Sequence, residues 1–153
     1  MLDPLTVVQT EALPAAVVRL TIPRDQIREH MGAAIGEVME AVVAQGVGPA
    51  GPLYSFHFSL PPDQFDFEVG IPVSGAFTPA GRVRPGELPA MSAVRTVYTG
   101  PYEGLGEAWG EFKDRIAQGG REIAEIFWER YLTDPVSEPD SSRFRTELNV
   151  ALR

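Results

Sequence analysis

The chain reads as an α+β protein: duplicated β-α-β-β units forming an antiparallel sheet, with two helices on one face and a ligand cleft on the other. Three observations carry this reading. Leu13-Pro14-Ala15 recurs as Leu88-Pro89-Ala90, an offset of 75 (88 − 13), and internal repetition is the sequence mark of a duplicated architecture. Two segments with helical apolar spacing each follow a strand-like run. Each is followed in turn by two further runs of strand character, so the order β-α-β-β occurs twice.

The elements follow in order. Residues 5–22 are β-branched and alternating (Val7, Val8, Val17, Val18, Leu20, Ile22), with Pro14 implying a bent strand at an edge. From Asp25, Ile27, Met31, Ile35, Val38 and Val42 form one apolar stripe, ended by Gly46. Leu53–Phe58 and Phe65–Ile71 are strands, bounded by Pro52, Pro61-Pro62 and Pro72. Residues 74–87 are Gly/Pro-rich and read as the connection between repeats. The second repeat gives a strand over 89–98 and a helix opened by Gly100-Pro101, with stripe Leu105, Trp109, Phe112, Ile116. Strands over 123–132 and 144–152 follow, with a turn at Asp134-Pro135 between them. One domain, 1–153, is expected, with pseudo-repeats at about 5–73 and 83–152 and a linker at about 74–82.

Composition bounds the function. Of 153 residues, 44% are apolar and 22% charged, an ordinary globular balance. No run approaches the roughly 20 apolar residues of a membrane span, and Met1-Leu2-Asp3-Pro4 shows no signal-peptide pattern. A cytoplasmic location and no membrane partner are expected. Without cysteine and with only His30 and His57, no metal spacing exists, so no metal and no cofactor are expected. The net charge is −8, and Lys113 is the single lysine beside twelve arginines, which argues against direct nucleic-acid binding. No GxSxG, P-loop or dinucleotide fingerprint is present.

Alternation assigns faces. Phe144, Leu148, Val150 and Leu152 share the parity expected under the helices, leaving Arg145, Glu147, Asn149 and Ala151 opposite. Phe65, Phe67, Val69 and Ile71 likewise leave Asp66 and Glu68 opposite. In the strand before Thr133, Phe127, Glu129 and Tyr131 share one face and Trp128, Arg130 and Leu132 the other. Trp128 is left unassigned, Trp109 reads as core, and His57 reads as structural. Aromatics interleaved with carboxylates suit an apolar cation. The 75-residue offset pairs Tyr54 with Glu129 and Phe56 with Tyr131, while an offset of 79 pairs Glu68 with Glu147.

Tyr98-Thr99-Gly100-Pro101-Tyr102-Glu103-Gly104-Leu105-Gly106, Glu129-Arg130-Tyr131-Leu132-Thr133-Asp134-Pro135 and Arg145-Thr146-Glu147-Leu148 resemble the gyrase-inhibitor-like small-molecule-binding domain. That domain is also the effector-binding domain of multidrug-responsive MerR-type and AraC-type transcription regulators. The resemblance spans about 5–152 and implies the duplicated, SOUL-like fold, with bacterial relatives. It implies binding of lipophilic, often cationic aromatic compounds in an aromatic cleft around an acid. Carried over by position, Glu129 and Glu147 are the ligand-contacting acids, and Tyr131, Asn149, Tyr54 and Phe56 line the same cleft. Glu68, Phe127, Tyr98 and Tyr102 complete the candidate set. Phe56-His57 departs from a Tyr-His pair found in many members. No residues are expected to remain for the regulators' DNA-binding domain.

Two functions follow from the resemblance. One is a stand-alone module that senses or sequesters lipophilic cations. The alternative is a hydrolase that opens cyclopropane rings of DNA-alkylating natural products, with Glu129 and Glu147 as catalytic candidates sharing one cleft. Inhibition of a topoisomerase by protein contact is a third, and any protein partner is unknown.

Overall fold

The computed structural model describes residues 2–59, 64–134 and 137–153. Pro61, Pro62 and Pro135, read above as boundary and turn residues, lie outside the described residues. Eight strands and two α-helices occur among them: β1 (Thr6–Gln9), β2 (Leu13–Pro23), α1 (Ile27–Gln45), β3 (Tyr54–Ser59), β4 (Gln64–Pro72), β5 (Arg84–Leu88), β6 (Ser92–Thr99), α2 (Leu105–Gln118), β7 (Ile123–Tyr131) and β8 (Arg145–Leu152). None of the described helices is long and apolar enough to cross a membrane.

The chain divides into two compact units. The contiguous unit is Glu11–Ala90, where β3, β4, β2 and β5 neighbour one another in that order, antiparallel throughout. The composite unit joins Met1–Thr10 to Met91–Arg153, with antiparallel order β1-β6-β8-β7. One helix packs on one face of each unit, which makes the class α+β.

In the contiguous unit, Ala34, Val38 and Val42 of α1 bury against Val18, Leu20, Phe67, Val69 and Ile71. In the composite unit, Ala108, Phe112 and Ile116 of α2 bury against Val94, Leu148 and Val150. Both apolar stripes therefore face the strands, because residues three and four apart stack on one helix side. Gly46, at φ 68°, closes α1 in the left-handed region that glycine tolerates.

Two boundaries differ from expectation. The strand expected over 5–22 is broken at residues 10–12 into β1 and β2. The expected 74–87 connection contains β5, whose Arg84-Pro85-Gly86-Glu87 composition hides a strand. Pro85 is tolerated because β5 pairs on one side only, with β2.

The duplication itself is real, but its offset is not 75. Ile27 and Leu105, which open the two helices, are 78 apart (105 − 27). Cross-strand register then equates Tyr54 with Trp128, an offset of 74, because Tyr54 pairs with Gly70 and Trp128 with Asn149. The drop from 78 to 74 falls across the shorter second helix, 14 residues against 19. Leu13 and Leu88, the echo that suggested 75, are direct partners across β2 and β5 rather than equivalents. Each repeat also lends its first strand to the other unit: β1 pairs with β6, and β5 with β2.

Gly70 shows how closely the contiguous unit packs. A Cβ there would overlap the Tyr54 ring, which is fully buried. Gly70→Ala is expected to cost about 1–3 kcal/mol by overpacking, read as a lower urea midpoint with unchanged slope.

Candidate functional site

Register decides which candidates meet. Partners across antiparallel strands point to the same face. Phe127 pairs with Val150, Glu129 with Leu148 and Tyr131 with Thr146, and Leu148 and Val150 lie under α2. Glu129 therefore sits beneath α2. Arg130 pairs with Glu147, and Trp128 with Asn149, on the opposite face. The expected single cleft holding both Glu129 and Glu147, with Tyr131 and Asn149, is thus corrected: the two acids are on opposite faces of the strands. Position-by-position carry-over from the resemblance sets both acids in one cleft; the pairing of Tyr54 with Glu129 at an offset of 75 fails separately, since a slip of one residue exchanges every side chain between faces. Ser55, not Tyr54, is the equivalent of Glu129.

Around Glu129 the groups are aromatic. Trp109 Nε1, from α2, donates to Glu129 Oε2 at 2.6 Å. Tyr131 Oη donates to Oε1 at 2.8 Å. The Trp109 ring lies 5.1 Å from that of Phe127, edge to face. The Tyr102 ring, still 37% exposed, lies 6.1 Å from Tyr131 and 5.1 Å from Phe144. Among the described residues, Glu129 forms no ion pair: Trp109 and Tyr131 are both neutral donors. Burial raises its carboxyl above the usual carboxylate range, and the hydrogen bonds from Trp109 and Tyr131 only partly oppose this. The Tyr102 hydroxyl is also pushed up, by burial first and then by Asp134 and Glu129.

Glu147 has the opposite setting. It is 6% exposed and meets Arg95 Nε at 3.2 Å and Arg130 Nη1 at 3.2 Å. Asn149 Nδ2 donates to it at 3.0 Å, and Arg95 Nε donates to Asn149 Oδ1 at 2.7 Å. Its charge is already balanced within the chain.

Tyr98 is engaged in the fold. Its hydroxyl donates to the Pro101 carbonyl at 2.8 Å, and a Cβ on Gly100 (φ 151°) or Gly104 would collide with that hydroxyl. The Tyr-Thr-Gly-Pro-Tyr-Glu-Gly motif is thereby explained as a helix-start lock. Tyr54, Phe56 and Glu68 lie on the face of the contiguous unit away from α1, since they pair with Gly70, Glu68 and Phe56 opposite the Phe67/Val69 side. His57 is buried and stacks on Phe67 at 4.9 Å.

Trp109 was read from the sequence as core alone. It does pack against the core, but its N–H finds the half-buried acid. Two signals for this were available: an indole N–H inside an apolar stripe needs an acceptor, and Phe127 shares its parity with Glu129.

Among the described residues, no three His, Asp or Glu side chains gather as for a metal ion. Beneath α2 the structure thus gathers one half-buried carboxylate and the rings of Trp109, Phe127, Tyr131 and Tyr102.

The family model described as the GyrI-like small molecule binding domain matches residues 4–153. No curated protein matches. Among solved structures, the EcmrR C-terminal domain superposes with TM-score 0.81 at 17% identity, covering 98% of this chain and 97% of that one. EcmrR in a complex with DNA gives 0.80 at 18%, covering 98% of this chain. This chain spans 57% of that protein's length. SAV2435 bound to tetraphenylphosphonium gives 0.67 at 11%, covering 99% and 94%. A hydrolase encoded by lin2189 from Listeria innocua gives 0.62 at 12%, covering 97% and 91%. At these identities the likenesses speak for the fold.

Proposed function

Since the chain belongs to the GyrI-like small-molecule-binding domain family, we propose that it binds lipophilic aromatic cations beneath α2, with Glu129 as the counter-charge. One observation carries this reading. Glu129 is a half-buried carboxylate beneath α2 with two neutral donors and, among the described residues, no ion-pair partner. A charge partly withdrawn from water without a partner is unfavourable, and a ligand cation supplies the partner. Trp109, Tyr131, Tyr102 and Phe127 provide ring faces and edges for its apolar body. The tetraphenylphosphonium held by SAV2435 is a ligand of this chemistry. The reading extends to a multidrug sensing or sequestering role in the cytoplasm, without direct contact to nucleic acid.

The test is calorimetric titration with tetraphenylphosphonium. Glu129→Gln keeps the shape and removes the charge, and is expected to weaken binding about tenfold or more, the scale of a charged interaction of roughly 1.5–3 kcal/mol. Unchanged affinity in that variant would sink the charge-pairing role.

Ring-opening hydrolysis keeps one supporting feature: a carboxyl raised by burial and bonded to a tyrosine suits proton donation. It would act through Glu129 alone, because Glu147 faces away and is paired. Ring-opened product from a cyclopropane-bearing alkylator, lost in Glu129→Gln, would favour it.

A further inference from the structure

The duplication allows equivalent positions to be compared within one chain. Register equates Glu68 with Glu147, Val17 with Arg95 and Phe56 with Arg130. In the composite unit, the two guanidiniums flank Glu147. In the contiguous unit, the same two places hold an isopropyl group and a phenyl ring. Glu68 is half-buried and, among the described residues, forms no hydrogen bond or ion pair.

A groove of about 690 Å³ opens at Glu68, with Val17, Phe56, Phe58 and Pro85 among its walls. Two of the arginines on its rim are already held. Arg19 makes two hydrogen bonds to Asp66, at 3.1 and 3.0 Å, and Arg82 makes two to Glu37. That leaves two carboxylates, Glu68 and Glu87, against one arginine, Arg84, with no side-chain hydrogen bond or ion pair among the described residues. The Arg19 guanidinium already lies over the Phe58 ring, 4.0 Å from its centroid, so this wall accepts a stacked guanidinium.

We propose that this groove is a second binding site, for a small aromatic molecule bearing a guanidinium or amidinium group, with Glu68 as its counter-charge and Phe56 and Phe58 as its apolar bed. The ligand's forked cation stands where Arg95 and Arg130 stand beside Glu147. A planar fork pairs with a carboxylate through two parallel hydrogen bonds and stacks on rings. Tetraphenylphosphonium has no N–H to offer, so the two sites differ in ligand chemistry.

Calorimetric titration with benzamidinium tests this. Binding to the wild type is expected to weaken at least fivefold in Glu68→Gln and to stay unchanged in Glu129→Gln. Tetraphenylphosphonium is expected to show the reverse dependence. Phe56→Arg places in this unit the arginine that the other unit carries, and is expected to abolish benzamidinium binding while tetraphenylphosphonium still binds, which also reports a folded chain. No saturable benzamidinium binding to the wild type, or binding that ignores Glu68, or binding that follows Glu129, would overturn the proposal.

Discussion

Glu147→Ala is expected to destabilise the protein by about 3 kcal/mol, at the lower end of the range for breaking a buried ion pair. The physical reason is the pair left behind. Arg95 and Arg130 converge on one carboxylate that is almost fully buried, and Asn149 ties Arg95 to it. Without the acid, two guanidiniums face each other with no charge between them. Both keep some water, with side chains 26% and 21% exposed, which places the loss near 3 rather than 5 kcal/mol. Urea unfolding at neutral pH measures it. The triple replacement Arg95→Met, Arg130→Met, Glu147→Leu is expected to recover most of the loss, because an apolar set of similar volume avoids the desolvation of all three charges. A single-variant loss under about 1 kcal/mol would mean that the network is effectively solvated.

Affinity for tetraphenylphosphonium is expected to rise with pH, by up to about tenfold per pH unit below the folded-state pKa of Glu129, the limiting slope for one linked proton. The ligand itself does not titrate. Burial raises the Glu129 carboxyl above its ordinary value, so at acid pH the group is neutral and the cation has no partner. Stability of the free protein runs the other way. For a carboxyl whose folded pKa lies above its unfolded value, the contribution is fully present below the unfolded pKa of about 4.3 and is lost as pH rises through the folded one. A saturating cation removes that loss above the folded pKa. Subtracting the profile of Glu129→Gln isolates both effects from the other acids. A difference profile that is flat from pH 4.5 to 8 would contradict a raised Glu129.

The sequence was a good guide to elements and a poor one to register. Both apolar stripes, and the parity of Phe67 and Leu148, follow from spacing alone, because a helix face and a strand face each have a fixed period. The family motifs were legible as well, and the structure explains one of them through the Tyr98 hydroxyl. Which acid faces which aromatic was not legible. A strand's parity names two faces without saying which is which, and the repeat offset that should have decided it changes from 78 to 74 across the helices. The Leu-Pro-Ala echo suggested 75 and matched Glu129 with Tyr54 rather than Ser55, while the family resemblance set Glu129 in one cleft with Glu147. Phe127, large and apolar on the same parity, was the better witness. The strand β5 was hidden for a different reason, since proline and glycine at an edge position look like a linker.

The exchange of first strands sets an order of events. Everything the contiguous unit needs lies between Glu11 and Ala90, so a growing chain holds that unit complete before the last 63 residues (153 − 90) have been made. The composite unit draws on both ends: Thr6 must find Arg95, 89 positions later (95 − 6). Closing so long a loop costs entropy that only late contacts repay. The half that carries Glu129 is therefore the slower one to assemble, and the N-terminal strand waits for it.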